Sequence, residues 1–337
     1  MTAPQLPSAL FAMDPVHLPE LFPPRVMNRL RQFAHIDPAL VAQDLGSPEV
    51  AGVLGRTEVL ITGWGGPRID QDVLDAAPRL RVILHAAGSV RHMIGDAFWR
   101  SGLSISSAAQ ANALPVAEYT LAAILFAGKD VLGLRERFRD RHAYPGPDER
   151  KVLGNFRRRV GVIGASRIGR RLLDLLRPFD LEVSLYDPYV DAAQAKALGA
   201  VPLPLNDLLR SSDIVTLHAP DLPETHHMLN RERLALIPDG GVLINTSRGA
   251  LVDHAALTDE LLSGRISAML DVTEPEPLPA ESPLYRLPNV LLTPHVAGSV
   301  GNELERLGIT VVDELERLAA GLPLAHQVHQ AELTNSA

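Results

Sequence analysis

The chain has 337 residues and no cysteine, so disulfides, thiolate nucleophiles and cysteine-based zinc sites are excluded, which fits a reducing cytoplasm. Apolar residues make up 46% and charged residues 21%, which excludes wholesale disorder, and the length suggests two domains. A formal charge of −8 lacks the basic footprint of a nucleic-acid-binding protein.

The N-terminal stretch has no basic region and is interrupted by Pro4, Pro7, Pro15 and Pro19. It does not read as a signal peptide. The longest clean apolar run, LAAILFAG at 121–128, is far shorter than the ~20 residues that span a bilayer. The expectation is a cytoplasmic chain with no membrane partner.

Short apolar runs then alternate with helical patterns, the mark of a parallel α/β sheet. VLIT at 59–62 and RVILH at 81–85 predict strands, and apolar spacing predicts one long helix over 114–134. From residue 158 the alternation sharpens. Strands are predicted at 159–164, 181–186, 213–218, 241–246, 268–272 and 290–293, with helices at 168–176, about 206–210, 255–263 and 303–320. Near-continuous Val, Ile and Leu strands mean a sheet covered on both faces. The expected organisation is a first domain over 1–108, a second over 109–298, and a final helix and tail over 299–337 that crosses back to the first.

The segment 160–169, VGVIGASRIG, almost fits G-x-G-x-x-G after a strand and before a helix. Gly164 would allow the tight turn, and Gly169 would allow close packing of helix on strand. Ser166 stands where the middle glycine belongs. A side chain there crowds an approaching pyrophosphate, although a hydroxyl is small and can donate to phosphate. Arg167 and Ile168 follow at the helix N-terminus, where free N–H groups and the dipole favour an anion. Asp187, after the next strand, is placed to accept from ribose hydroxyls and to repel a 2′-phosphate. NAD is therefore expected over NADP. A packing turn with an unrelated Asp187 is the alternative. A nucleophile elbow needs G-x-S-x-G, and Ile168 fills its last glycine position.

Three later segments each follow a predicted strand: Asn245-Thr246-Ser247-Arg248-Gly249, Asp271-Val272-Thr273-Glu274-Pro275-Glu276-Pro277, and Thr293-Pro294-His295-Val296-Ala297-Gly298. Ligands of open α/β sheets bind at the carboxyl ends of strands. An arginine can hold a carboxylate with its planar fork. A histidine exchanges protons near neutral pH, and a glutamate bonded to it would fix its tautomer. Together Arg248, Glu276 and His295 suit interconversion of a 2-oxo acid and a 2-hydroxy acid. Singly, each could be a surface or solvated loop residue; placement after three successive strands favours an active site.

These motifs, in this order, resemble the D-isomer-specific 2-hydroxyacid dehydrogenases, from about Leu60 to the Gly321-Leu322-Pro323-Leu324 segment. Val116-Ala117-Glu118 and His218-Ala219-Pro220 with Pro223-Glu224-Thr225 also look like that family. The resemblance implies two Rossmann-like α/β domains with parallel sheets and an active-site cleft between them. It implies a substrate domain completed by the last helix, and a homodimer held largely by residues about 112–150. It implies that Arg248 binds the substrate carboxylate, that His295 is the acid in reduction and the base in oxidation, that Glu276 pairs with His295, and that Asp271 holds the nicotinamide carboxamide. NAD contacts would further involve Gly164, Ser166, Arg167, Ile168 and Asp187. They would extend to His218, Ala219, Pro220, Thr225, Thr246, Ser247, Arg248, His295 and Gly298. The loop Ala87-Gly88-Ser89 would offer N–H groups to the substrate, with Asn112 near the hinge. Trp64 is either a pocket wall or a packed aromatic.

The chain departs from the family at Ser166 and in the loop His85-Ala86-Ala87-Gly88-Ser89-Val90-Arg91-His92, which lacks the acidic, Asn-containing continuation of many relatives. Glu276 in place of glutamine argues against the related formate dehydrogenases. His226 and His227 lack the i, i+4 spacing of a helical metal pair, and His326 and His329 have no evident partners, so no metal site is expected. The basic residues Arg135, Arg137, Arg139 and Arg141 read as a solvated or subunit-facing stretch. Two alternatives stand beside the dehydrogenase: an NADH-binding interaction protein like the C-terminal-binding-protein corepressors, and an amino-acid dehydrogenase, against which the order Arg248, Glu276, His295 argues.

Overall fold

Val, Ile and Leu runs become strands here because a parallel sheet buries them on both faces. A computed structural model describes residues 6–333. Pro4 and the end of the expected tail, residues 334–337, lie outside the described residues.

The chain divides into two units, one made of residues up to Asn112 together with those from Ser299 onward, the other of Ala113–Gly298. In the first unit β1 (Ala9–Ala12), β2 (Val59–Thr62), β3 (Val82–His85) and β4 (Ser104–Ser107) pair in that order, all parallel. Residues 35 and 41 bridge in parallel to Ser8 and Phe11 on the outer side of β1. The chain therefore reverses its direction of growth between β1 and β2, as in a doubly wound sheet. Alternate residues feed opposite cores: Phe11, Ile61 and Leu84 pack on one side, Leu10, Leu60 and Ile83 on the other. Apolar patterning finds β2 and β3 but not β4, whose sequence SISS is mostly serine.

The last helix, Leu304–Ala319, lies within this first unit. Leu307, Val311, Val312 and Leu315 are buried in the core that contains Leu21 and Leu30. Gly308 is required there, because a Cβ would stand 1.8 Å from the Leu21 carbonyl oxygen.

In the second unit β5 (Arg159–Ile163), β6 (Glu182–Tyr186), β7 (Val201–Pro202), β8 (Ile214–Leu217), β9 (Val242–Asn245), β10 (Ser267–Leu270) and β11 (Val290–Leu292) form a parallel sheet in the order β11-β10-β9-β8-β5-β6-β7. The order reverses between β5 and β8, the place where such sheets bind ligands. Ile163 pairs with Leu217, Leu217 with Asn245, Asn245 with Leu270, and Leu270 with Leu292. The loops that follow, which carry the predicted site residues, thus leave the sheet along one edge.

Two helices stand where spacing predicts one over 114–134: Ala109–Gly128 and Val131–Arg141. The break is local. Asp130 takes the left-handed conformation at φ 47°, which ends the first helix and starts the second. By length and mean hydropathy, 1.3, Ala109–Gly128 could cross a membrane. Its Ala117, Ala123 and Ile124, however, are buried in the second unit's core with Val160, Val162 and Leu172.

Candidate active site

The loop after β5 turns because Gly164 takes φ 99°, with its N–H bonded to the Tyr186 carbonyl at 2.8 Å. A Cβ on Gly164 would stand 2.6 Å from the Ala219 nitrogen, and one on Gly169 would stand 2.0 Å from the Gly164 oxygen. Both glycines are therefore demanded by backbone approach. Ser166 is the N-cap of helix Arg167–Leu176, its Oγ accepting from the Gly169 N–H at 3.3 Å. The hydroxyl hydrogen remains able to donate, so the substituted position stabilises the helix start while keeping a donor at the anion-binding end. Ile168 packs against the adjoining core, and Arg167 is exposed in the first turn.

Asp187 accepts from Ala165 N–H at 2.7 Å and from Tyr189 N–H at 2.8 Å. These bonds fix the carboxylate at the end of β6, where each oxygen retains acceptor capacity. Beside it a cavity of about 260 Å³ is lined by Leu185, Tyr186, Asp187, Val190, Pro202 and Leu203, among others. Glycines that admit a backbone approach, a capped helix N-terminus, and an apolar cavity next to a carboxylate fit the pyrophosphate, ribose and flat base of a dinucleotide. The cavity walls beyond Asp187 are not legible in the sequence, because 190–203 becomes one surface only when β7 pairs with β6.

On the other side of the sheet reversal, His218 N–H bonds the Ile163 carbonyl at 2.7 Å and its ring bonds Thr216 Oγ1 at 3.0 Å. Ser247 Oγ donates to the Ala219 carbonyl at 2.7 Å, and Thr225 Oγ1 to the Pro220 carbonyl at 2.6 Å. Thr246 Oγ1 meets Thr120 Oγ1 at 2.9 Å. The residues expected near a cofactor from His218 through Ser247 are thus largely engaged in holding adjacent loops together.

Burial pushes the imidazoles of His85, in the first unit, and His218, in the second, down to about 3. Each is neutral when folded and protonates readily when unfolded. The unfolded state binds more protons, so stability is complete above pH 6.5 and lost as pH falls toward 3. Between pH 6.5 and 5 each histidine is expected to cost about 2 kcal/mol of stability. Urea midpoints at the two pH values check this: a smaller acid loss in His85→Gln and His218→Gln is the expected result, and an unchanged loss would refute the attribution.

Arg248 is half-buried and precedes a short 3-10 turn, Gly249–Leu251. Its carbonyl accepts from Asn245 Nδ2 at 2.8 Å, and Asn245 Oδ1 accepts from Ser247 N–H at 3.0 Å. Gly249 is a site residue that motif reading leaves without a role. A Cβ on it would stand 2.2 Å from the Thr273 carbonyl carbon, so the absent side chain is what lets the Arg248 loop lie against the Thr273–Glu274 backbone.

His295 Nδ1 and Glu276 Oε1 are 2.8 Å apart, with the two side chains 49% and 42% exposed. No hydrogen bond reaches His295 Nε2 among the described residues. His295 itself is left-handed at φ 55°, a conformation that costs a non-glycine residue energy. Backbone bonds compensate: its N–H reaches the Asp271 carbonyl at 2.9 Å. Asp271, only 2% exposed, accepts from Thr293 Oγ1 at 2.7 Å, Val296 N–H at 2.8 Å and Ala297 N–H at 2.9 Å. Tyr119 OH closes the chain on Thr293 Oγ1 at 2.8 Å, and burial raises its own pKa. The carboxylate expected on the nicotinamide carboxamide thus also shapes the histidine loop, and its Oδ2, with one bond from Ala297 N–H, retains acceptor capacity. Tyr119 and Thr293 are contributors that spacing could not reveal.

The remaining candidates lie in the first unit. Ala87 is buried, and Gly88 and Ser89 are half-buried after β3. Asn112 Oδ1 accepts from Ser299 N–H at 2.9 Å, joining the points where the chain leaves and re-enters this unit; Gly298 is the residue before that return. Trp64 is partly buried against the core and meets His17 edge-on at 5.5 Å. Sequence spacing gives His226 and His227 no metal-binding partner. Chain folding brings Glu274 to His226 and His227, with one potential ligand atom of each within 4.8 Å of the others.

Residues 121–297 match the family described as D-isomer specific 2-hydroxyacid dehydrogenase, NAD binding domain. A D-3-phosphoglycerate dehydrogenase of Mycobacterium tuberculosis is 34% identical over 258 residues, 75% of this chain and 48% of that protein. The chain spans about half the length of the curated relatives it matches first. A crystal structure of D-lactate dehydrogenase from Aquifex aeolicus, complexed with NAD and lactic acid, is 27% identical with a TM-score of 0.69, covering 93% of this chain and 96% of that one. A phosphoglycerate oxidoreductase from Rhizobium etli shares the fold at a TM-score of 0.82 and 23% identity, covering 97% of this chain and 99% of that one.

Proposed function

Because the chain belongs to the D-isomer-specific 2-hydroxyacid dehydrogenase family, whose members interconvert 2-hydroxy and 2-oxo acids, we propose that it is an NAD-dependent D-2-hydroxyacid dehydrogenase working as a 2-oxoacid reductase. The observation that carries the reading is the His295–Glu276 pair, bonded at 2.8 Å through Nδ1.

Glu276 can only accept when ionised, so the bond fixes the hydrogen of His295 on Nδ1. Nε2 is then the atom that gives a proton to the developing alkoxide in reduction and takes it back in oxidation. Arg248 binds the substrate carboxylate and polarises the carbonyl, an electrostatic contribution that is often the largest. Asp271, Thr293 and Tyr119 hold the histidine loop in place. In the first unit, the N–H groups of Ala87, Gly88 and Ser89 are proposed for the substrate carboxylate, with Asn112 and Trp64 as substrate-side residues. Gly164, Ser166, Arg167 and Asp187 would hold the dinucleotide, which when bound supplies the hydride. The intact acid–base pair favours turnover over a purely regulatory role.

A homodimer is part of the same reading. It is supported by the exposed aromatics Phe126, Phe138, Tyr144 and Phe156, which fall in or beside the stretch expected to face a second subunit, and sedimentation equilibrium tests it.

The enzymatic test is NADH oxidation with a panel of 2-oxo acids, run in parallel with NADPH. Rapid turnover of one acid with NADH is expected; silence across the panel with NADH still bound would overturn the reading. Asp187→Asn keeps the shape but removes the charge. It is expected to reduce the preference for NADH over NADPH roughly tenfold, the scale of one charged hydrogen bond. An unchanged preference would sink the role given to Asp187.

A further inference from the structure

Histidines 226 and 227 adjoin in sequence, an arrangement that normally sends side chains apart. Here His227 turns back at φ 49°, and the two rings stack with centroids 3.9 Å apart. The turn is stiffened by a parallel bridge, with His227 N–H on the Ala250 carbonyl at 2.7 Å and Leu229 N–H on the Leu251 carbonyl at 3.0 Å. Across from it, Glu274 is held by its own backbone: its N–H reaches His254 Nε2 at 3.3 Å. An N–H only donates, so Nε2 accepts and Nδ1 of His254 carries the hydrogen toward the Val252 carbonyl at 3.1 Å.

We propose that His226, His227 and Glu274 form a binding site for one divalent transition-metal ion of the Zn²⁺ class, and that the bound ion ties the acidic proline loop to the 225–229 turn. The donor set, two imidazoles and a carboxylate, suits zinc and its neighbours rather than calcium or magnesium. Ligands at the ordinary zinc distances stand roughly 3.4 Å apart around a tetrahedral ion. His227 Nε2 and Glu274 Oε2 are already 3.4 Å apart, and all three ligand atoms lie within 4.8 Å of one another. Closing the set requires the two stacked rings to fan apart so that their in-plane lone pairs converge on one ion, and a fourth position is left open to water. Glu274 is two residues before Glu276, so an ion here restrains the loop that holds the tautomer of His295. The expected consequence is slower turnover in the metal-bound protein, a consequence that rests on the catalytic reading above.

Isothermal titration of the full NADH-free chain with Zn²⁺ tests the site independently of that reading. One ion per chain is expected, with affinity at least tenfold weaker in His227→Ala and in Glu274→Gln and unchanged in His329→Ala, a histidine of the other unit. Undiminished affinity in a triple His226→Ala, His227→Ala, Glu274→Gln variant, or no saturable binding at millimolar zinc, would overturn the assignment. Zinc should then slow NADH-linked turnover of the wild-type chain and not that of Glu274→Gln. Equal inhibition of both, or stoichiometric binding with no inhibition, would overturn the coupling to the loop.

Discussion

Replacing His295 with Asn is expected to lower turnover by about 10²–10⁴-fold, the span of general acid–base catalysis, while NADH affinity and thermal stability persist. Asparagine is the informative substitution. The position is left-handed, at φ 55°, and asparagine tolerates that region better than alanine. Loss of rate therefore reports the missing imidazole rather than a collapsed loop. Arg248→Lys should be nearly as damaging with a different signature: the charge survives, but the planar fork does not, so the KM for the 2-oxo acid rises as kcat falls. If the two residues act on one transition state, the double variant will lose less than the product of the single losses. Steady-state kinetics on the best acid of the panel measure all three, and near-wild-type rates in both single variants would refute the assigned roles.

The second large effect is on the cofactor. Gly169→Ala is expected to abolish measurable NADH binding at a cost in stability, because the new Cβ would stand 2.0 Å from the Gly164 carbonyl oxygen. That oxygen belongs to backbone and cannot rotate away, so the helix must separate from the strand and the turn must open. Ser166→Gly offers the contrast. It restores the usual glycine, and glycine for an N-cap serine costs only a few tenths of a kcal/mol. NADH affinity should change little or improve. Fluorescence titration of NADH separates these results, and strong binding by Gly169→Ala would show that close helix–strand packing is not what the turn requires.

Much of the second unit was legible in the residues alone. Its strands are continuous apolar runs, and such runs have few fates besides a doubly covered parallel sheet. Gly164, Asp187, Arg248, Glu276 and His295 could be singled out because each lies in the loop that follows one of those runs. The first unit was harder to read: β4 is SISS, and the two bridges outside β1 leave no periodic signal. The single helix expected over 114–134 failed at Gly128-Lys129-Asp130, where a glycine that ends helices and an aspartate that tolerates the left-handed region interrupt the apolar spacing on which the expectation rested.

The sequence by itself determined the sheet type, the order of the reactive residues and the chemistry they can perform, because these depend on local hydrophobic pattern and functional-group identity. Only the tertiary structure decided which groups share a hydrogen bond. Tyr119 and Thr293 are separated by 174 positions, and Glu276 and His295 by 19, and each pair meets only after separate segments are brought together. The same holds for Gly249, whose importance lies in the Thr273 backbone pressed against it, and for Glu274, which sequence spacing never associates with His226 and His227. A side chain's chemistry travels with its residue, whereas its partners are set by the packing of distant segments.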